Sequence, residues 1–193
     1  CKVQPVIDNE VVLSKDCSPY FVPGNVFVSK TGHLIIEPGV ELLIDDEVSF
    51  LINGKLSVLG TKEAPIYFRS SPKAPNQKWG AINLVNADTS RFENAVIEDA
   101  YKGNHPIREV AAISVFNSVV RMDGLVIENV HANPINARYS DVILKNSRLH
   151  SKITGDLINV KYGKAHVENC EFIGNNMPDT DGIDYDDITD GII

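Results

Sequence analysis

The side chains able to do chemistry are few, and most lie in the second half of the chain. Arg138 and Lys161 stand one sequence repeat apart. Brought side by side, they could neutralise a uronate carboxylate and abstract the proton next to it, as in a β-elimination. The densest charge is the set Asp179, Asp181, Asp184, Asp186, Asp187 and Asp190. Paired acids of this kind can flank a glycosidic bond as acid and base. Asp181, Asp184 and Asp186 also offer the hard oxygens that calcium takes, although their spacing is not that of a regular calcium loop. The plain alternatives are a surface salt bridge between Lys161 and Asp186 and a solvated acidic surface. Five histidines, His33, His105, His131, His150 and His166, show no paired metal spacing. There is no G-x-S-x-G and no phosphate-cradling glycine loop, which disfavours a zinc enzyme or a nucleophile triad.

Whether any of these groups meet depends on the elements that carry them, and an internal repeat defines those elements. The chain reads FENAVIEDA from Phe92, MDGLVIENV from Met122, LKNSRLHSK from Leu144, VENCEFIGN from Val167 and ITDGII from Ile188. Apolar residues recur at fixed places in these segments, which predicts that Phe92, Met122, Leu144, Val167 and Ile188 form one file. Nine or ten residues before each of the first four comes a second pair, Ile82 and Leu84, Ile113 and Val115, Ile135 and Ala137, Ile158 and Val160. In the last unit Ile183 and Tyr185 take that place at a shorter distance. Inward residues two apart are the mark of strands. Each unit thus holds three, here named a, b and c.

Between b and c stand Asn94, Gly124, Asn146, Asn169 and Asp190, types that tolerate a left-handed backbone. The same tight corner in every unit, at about 22 residues per turn, is what a chain needs to wind as a coil in which each strand lies above its counterpart. The expected fold is all-β, a right-handed single-stranded parallel β-helix of about seven coils with three strands per coil. Residues 1–24 are expected to act as an N-terminal cap segment. Residues 25–193 form the helix, which is expected to continue beyond Ile193 because the sequence halts at Gly191-Ile192-Ile193 inside a strand c.

Composition narrows the partners. The 193 residues are 43% hydrophobic and carry 18 basic and 26 acidic side chains, a formal charge of −8. Without a basic run, nucleic acid binding is disfavoured. Three cysteines leave at least one unpaired within the monomer. Cys1 either carries lipid after signal cleavage, tethering the domain to a membrane, or pairs with Cys17. Both imply an exported location.

The run NVFVSKTGHLIIEPGVELLI, with INGKLSVLGTKEAPIYFRSS and WGAINLV after it, resembles the opening coils of right-handed parallel β-helix domains. Those domains belong to the pectin-lyase-like group, in secreted or surface-attached proteins that are chiefly bacterial. Some of these proteins also carry spore-coat-type kinase domains. GDLINVKYGKAHVENCEFIGNN and DGIDYDD resemble later coils of the same kind. LINVKYG loosely resembles the lysine-bearing strand of alginate and chondroitin lyases, and TDGID a polygalacturonase signature. Neither family's remaining elements follow.

The resemblance implies a ligand face along the outside of strand a. There Asn83, Ser114, Asn136, Asn159 and Asp184 form one column, and Val85, Phe116, Arg138, Lys161 and Asp186 another. Insertions at residues 69–79 and 101–110 would wall the strip, and Trp79 could face a sugar ring. Asn136, Asn159, Phe116 and Trp79 are the expected ligand contacts. The function this implies is a non-catalytic surface scaffold, or a domain that binds polysaccharide or a surface protein, within a larger exported polypeptide. It would need no cofactor, with calcium the one candidate. The other implied function is a polysaccharide lyase or glycoside hydrolase using Arg138, Lys161, Asp184 and Asp186.

Overall fold

A computed structural model describes residues 1–106, 108–153, 155–174, 181–186 and 190–192. Short β-branched and aliphatic runs, broken every few residues by Gly, Asn, Pro or Ser, wind into a parallel β-solenoid of about eight turns. Among the described residues two sheets have eight strands and the third has seven, and each strand pairs in parallel with its counterpart in the adjacent coil. The extra turn lies at the start. Residues 1–24, expected as a cap, supply a first coil through Val6–Ile7, Glu10–Leu13 and Tyr20–Val22. These pair with Val26–Val28, His33–Ile36 and Glu41–Ile44.

The expected file of core residues is present. Phe92, Met122, Leu144 and Val167 are partners in consecutive coils, and all four are buried. Below them the column runs through Val58, Ile36 and Leu13. Full burial of one such side chain stabilises by about 1.5–3 kcal/mol, and each coil repeats the same contribution at the same place.

Corners set the register. Asn94, Gly124, Asn146 and Asn169 all take positive φ, between 43° and 68°. Their side chains run up the stack where they can: the Asn169 amide donates to Asn146 Oδ1 at 2.7 Å, and the Asn146 amide to Asp123 Oδ1 at 2.8 Å. Glycine is used where backbones touch. A Cβ on Gly54 would run into the carbonyl oxygens of Gly32 and Ser29 in the coil below.

The last coil is phased differently from the expectation. Asp190–Ile192 pairs with Lys164–Glu168, so Asp190 and Gly191 lie in a b strand and Asp190 is not a corner. The chain therefore reaches its last residues in strand b and not in strand c. Ile188, the expected fifth member of the core file, lies outside the described residues.

Candidate functional site

The eight-stranded sheet of a strands carries the predicted strip in the predicted register. Asn83, Ser114, Asn136, Asn159 and Asp184 are successive partners, and beside them run Val85, Phe116, Arg138, Lys161 and Asp186. Exposure divides the strip. Asn83 and Ser114 are buried, and Asn104, His105, Pro106 and Glu109 of the 101–110 insertion share with Leu51, the partner of Asn83, a pocket of about 360 Å³. Asn136 and Asn159 are also nearly buried, because they are tied into a ladder. The Asn136 amide donates to Asn159 Oδ1 at 3.2 Å, and the Asn159 amide to Asp184 at 2.6 Å and Asp156 at 3.0 Å. Their polar atoms are mostly committed to one another.

The exposed chemistry lies one residue past the strand ends, where the chain turns from a to b. In the fourth and fifth coils Asn86 and Asn117 occupy this corner with φ of 51° and 46°, and the Asn117 amide donates to Asn86 Oδ1 at 2.7 Å. In the next two coils the same place is held by Tyr139 and Tyr162, with φ of 52° and 57°. Both are exposed, at 55% and 46%, and their rings stack at 4.9 Å and 11°. The Tyr139 ring also meets the Phe116 ring edge-on at 5.7 Å, and the Arg108 guanidinium lies 4.6 Å over Phe116. The result is an aromatic row, Phe116–Tyr139–Tyr162, along the border of the strip. Its faces are largely used in its own stacking. It therefore presents ring edges and two phenol hydroxyls, neither of which has a hydrogen-bond partner among the described residues. On the far side of the corner, Asp88, Asn117, Tyr139 and Asp141 help to line a shallow polar pocket of about 370 Å³.

Next to this row the charges are unequal. Lys161 is paired with Asp186, and the hydrogen bond it donates to that carboxylate holds its ammonium above the usual lysine range. Arg138 has no ion pair among the described residues, and its Nε is buried without a hydrogen-bond partner. Asp184 is pushed up from the ordinary carboxylate value, chiefly by burial and then by the negative charges of Asp156 and Asp186. A raised lysine is the opposite of what a general base requires.

Trp79 is not a ligand contact. Its side chain is fully buried, its ring stacks on Phe68 at 6.4 Å and meets Phe50 edge-on, and its Nε1 donates to the Glu98 carbonyl at 2.6 Å. The insertion before it returns the indole into the core. Among the described residues no group of three or more His, Cys, Asp and Glu side chains is arranged to hold a metal ion. Of the calcium candidates Asp181, Asp184 and Asp186, the last is taken by Lys161 and Asp184 by Asn159. Asp179 and Asp187 lie outside the described residues. Cys1 is bonded to Cys17, a state in which its sulfur cannot also carry a lipid.

Two groupings escaped the sequence reading. Tyr139 and Tyr162 follow directly after Arg138 and Lys161, and their signal was available: each breaks a corner that Asn86 and Asn117 fill with asparagine. The other is Glu10, His33 and Ser57, on the outer face of the b sheet. His33 Nε2 lies 2.9 Å from Ser57 Oγ, and Nδ1 lies 3.5 Å from Glu10 Oε2. No sequence motif joins these three, because they come from three coils.

No protein-family model, curated protein or solved structure matches this chain.

Proposed function

We propose that the chain is a β-solenoid module that binds, without cleaving it, an extended acidic polysaccharide along the outer border of its a sheet, as part of an exported protein. The observation that carries this reading is the pair of exposed tyrosines held in left-handed backbone where the chain elsewhere uses asparagine. Backbone strain persists where the structure needs a particular side chain at that place, and it concentrates at functional sites. Rungs about 4.8 Å apart repeat a hydroxyl and a cation in two consecutive coils, Tyr139 with Arg138 and Tyr162 with Lys161, which suits a polymer with a recurring polar unit better than a compact ligand. Arg138, which has no ion pair among the described residues, supplies a positive charge for the polymer's acidic groups.

Binding without cleavage at this strip is favoured by the Lys161–Asp186 pair, which keeps the lysine protonated. A second reading, glycoside hydrolysis, draws on the raised carboxyl of Asp184, which is the direction a general acid needs. A panel of uronate and neutral polysaccharides, assayed for binding by calorimetry and for cleavage by reducing ends, separates the two. The module reading expects binding to an acidic polymer without cleavage. It also expects about a tenfold loss of affinity in Tyr162→Ala, from roughly 1.4 kcal/mol of ring contact and hydroxyl bonding. Cleavage abolished by Asp184→Asn would replace it with the hydrolase reading, and no binding to any polymer would remove both.

A further inference from the structure

Glu10, His33 and Ser57 sit on the first, second and third b strands. They lie toward the opposite end of the stack from Tyr162. Parallel register assembles them: Glu10 is the partner of His33, and Ser57 is the partner of Ile35, two residues on from His33. The imidazole therefore reaches a carboxylate one rung down and a hydroxyl one rung up. The 2.9 Å contact to Ser57 Oγ and the 3.5 Å contact to Glu10 Oε2 place nucleophile, base and orienting acid in the order that activates a serine.

The column through Ser57 is asymmetric. Exposed Val12 and half-buried Ile35 lie below it, and Arg91 and Arg121 above it. An apolar seat on one side and guanidinium groups on the other suit a short acyl chain and a carbonyl oxygen that gains negative charge during reaction. Ser57 is 1% exposed and the His33 side chain 23%. For an ester to reach Ser57, the half-exposed Arg91 side chain, paired with Glu93 at 3.5 Å, must swing aside.

We propose that Ser57 and His33, positioned by Glu10, form an acyl-transfer site that hydrolyses short acyl esters. Ser57 Oγ attacks the carbonyl carbon while its proton passes to His33 Nε2. The bond to the alcohol oxygen breaks, and His33 returns the proton to that leaving oxygen. Water, deprotonated by His33, then attacks the acyl-serine, releasing a carboxylic acid and restoring the hydroxyl. Burial, then Lys55 and more weakly Arg91, lower the His33 pKa, while Glu10 raises it; the net shift is downward, so the ring is neutral and able to accept a proton at pH 7.

The test uses the 193-residue chain with a fluorophosphonate probe, adduct mapping by mass spectrometry, and p-nitrophenyl acetate hydrolysis. An adduct on Ser57 is expected, with at least tenfold slower hydrolysis in Ser57→Ala and in His33→Asn at unchanged circular dichroism. Glu10→Gln should keep the adduct but move the pH midpoint of labelling downward, since it removes the charge that raises His33, and Glu10→Asp should restore part of that shift. If Ser57→Ala does not fold, Ser57→Cys serves in its place: iodoacetamide should alkylate Cys at position 57 quickly, and slowly once His33→Asn is added. No adduct at Ser57 at pH 8, hydrolysis unchanged in Ser57→Ala, or alkylation indifferent to His33 would each overturn the proposal.

Discussion

Replacing Tyr139 separates what the fold wants at that corner from what a ligand wants. The residue has φ of 52° and touches Phe116 and Tyr162 through its ring. Alanine keeps the left-handed penalty of about 1–2 kcal/mol and removes two ring contacts of about 0.5–1.5 kcal/mol each, so Tyr139→Ala should lose roughly 1–3 kcal/mol. Glycine removes the same contacts and relieves the backbone penalty, at a chain-entropy cost of about 0.5–1 kcal/mol. Tyr139→Gly should therefore be more stable than Tyr139→Ala by up to about 1.5 kcal/mol. Asparagine tolerates the conformation and can continue the Asn86–Asn117 ladder with one more bond, worth about 0.5–1.5 kcal/mol. The expected order of urea midpoints at constant slope is Asn, then Gly, then Ala. Polysaccharide affinity should fall about tenfold in all three. A midpoint for Ala at or above those of Gly and Asn would refute the left-handed assignment. Full affinity in Tyr139→Asn would refute the claim that the ring is kept for a ligand.

Gly54→Ala should cost about 1–3 kcal/mol, the range for overpacking, because its new methyl meets backbone oxygens of Gly32 and Ser29 that no side-chain rotation can clear; a urea midpoint unchanged from wild type would contradict the packing of that corner. Acidification should lower the melting temperature. His33 and His131 are held below the ordinary 6.5, in both cases first by burial and then by nearby lysines, so the native state takes up protons later than the unfolded chain. Their contribution is intact above pH 6.5 and is lost as pH falls through the folded pKa values. His131→Gln should flatten that slope in a series of melts, and an unaltered slope would exclude the residue as a source.

The coil, its period and its core file were legible because the solenoid repeats one rule: an inward residue every second position, stacked on its counterpart. Phe92, Met122, Leu144 and Val167 obey it. The first coil was hidden because Val6–Ile7 and Tyr20–Val22 are too short to show a period alone, and they become strands by pairing with Val26–Val28 and Glu41–Ile44. The shift at Asp190 was hidden because ITDGII carries the apolar spacing of the repeat from Ile188, although strand b begins only at Asp190. The register of the strip was readable in Asn136, Asn159, Arg138 and Lys161, but its burial was not. Whether an outward asparagine is free or laddered depends on its neighbours in adjacent coils, as with Asn159 between Asn136 and Asp184. Trp79 was ambiguous for the opposite reason, since an insertion can carry its indole outward or back into the core.

A solenoid makes functional residues visible by contrast. Each corner is built several times, so the chain shows what that corner accepts at low cost. At the turn from b to c the answer is uniform, Asn94, Gly124, Asn146 and Asn169, all left-handed and all of types that adopt that backbone easily. Nothing there calls for more than a turn. The turn from a to b begins the same way with Asn86 and Asn117, then departs to Tyr139 and Tyr162 without any change in backbone, φ staying near 50°. Because the geometry is constant, the backbone requirement is constant too, and the backbone alone does not call for the change of residue. The ring contacts of Tyr139 offset that cost, and asparagine would have returned a hydrogen bond without the strain. On the proposed reading the change of residue answers to a ligand at the border of the a sheet, where Arg138 has no ion pair among the described residues.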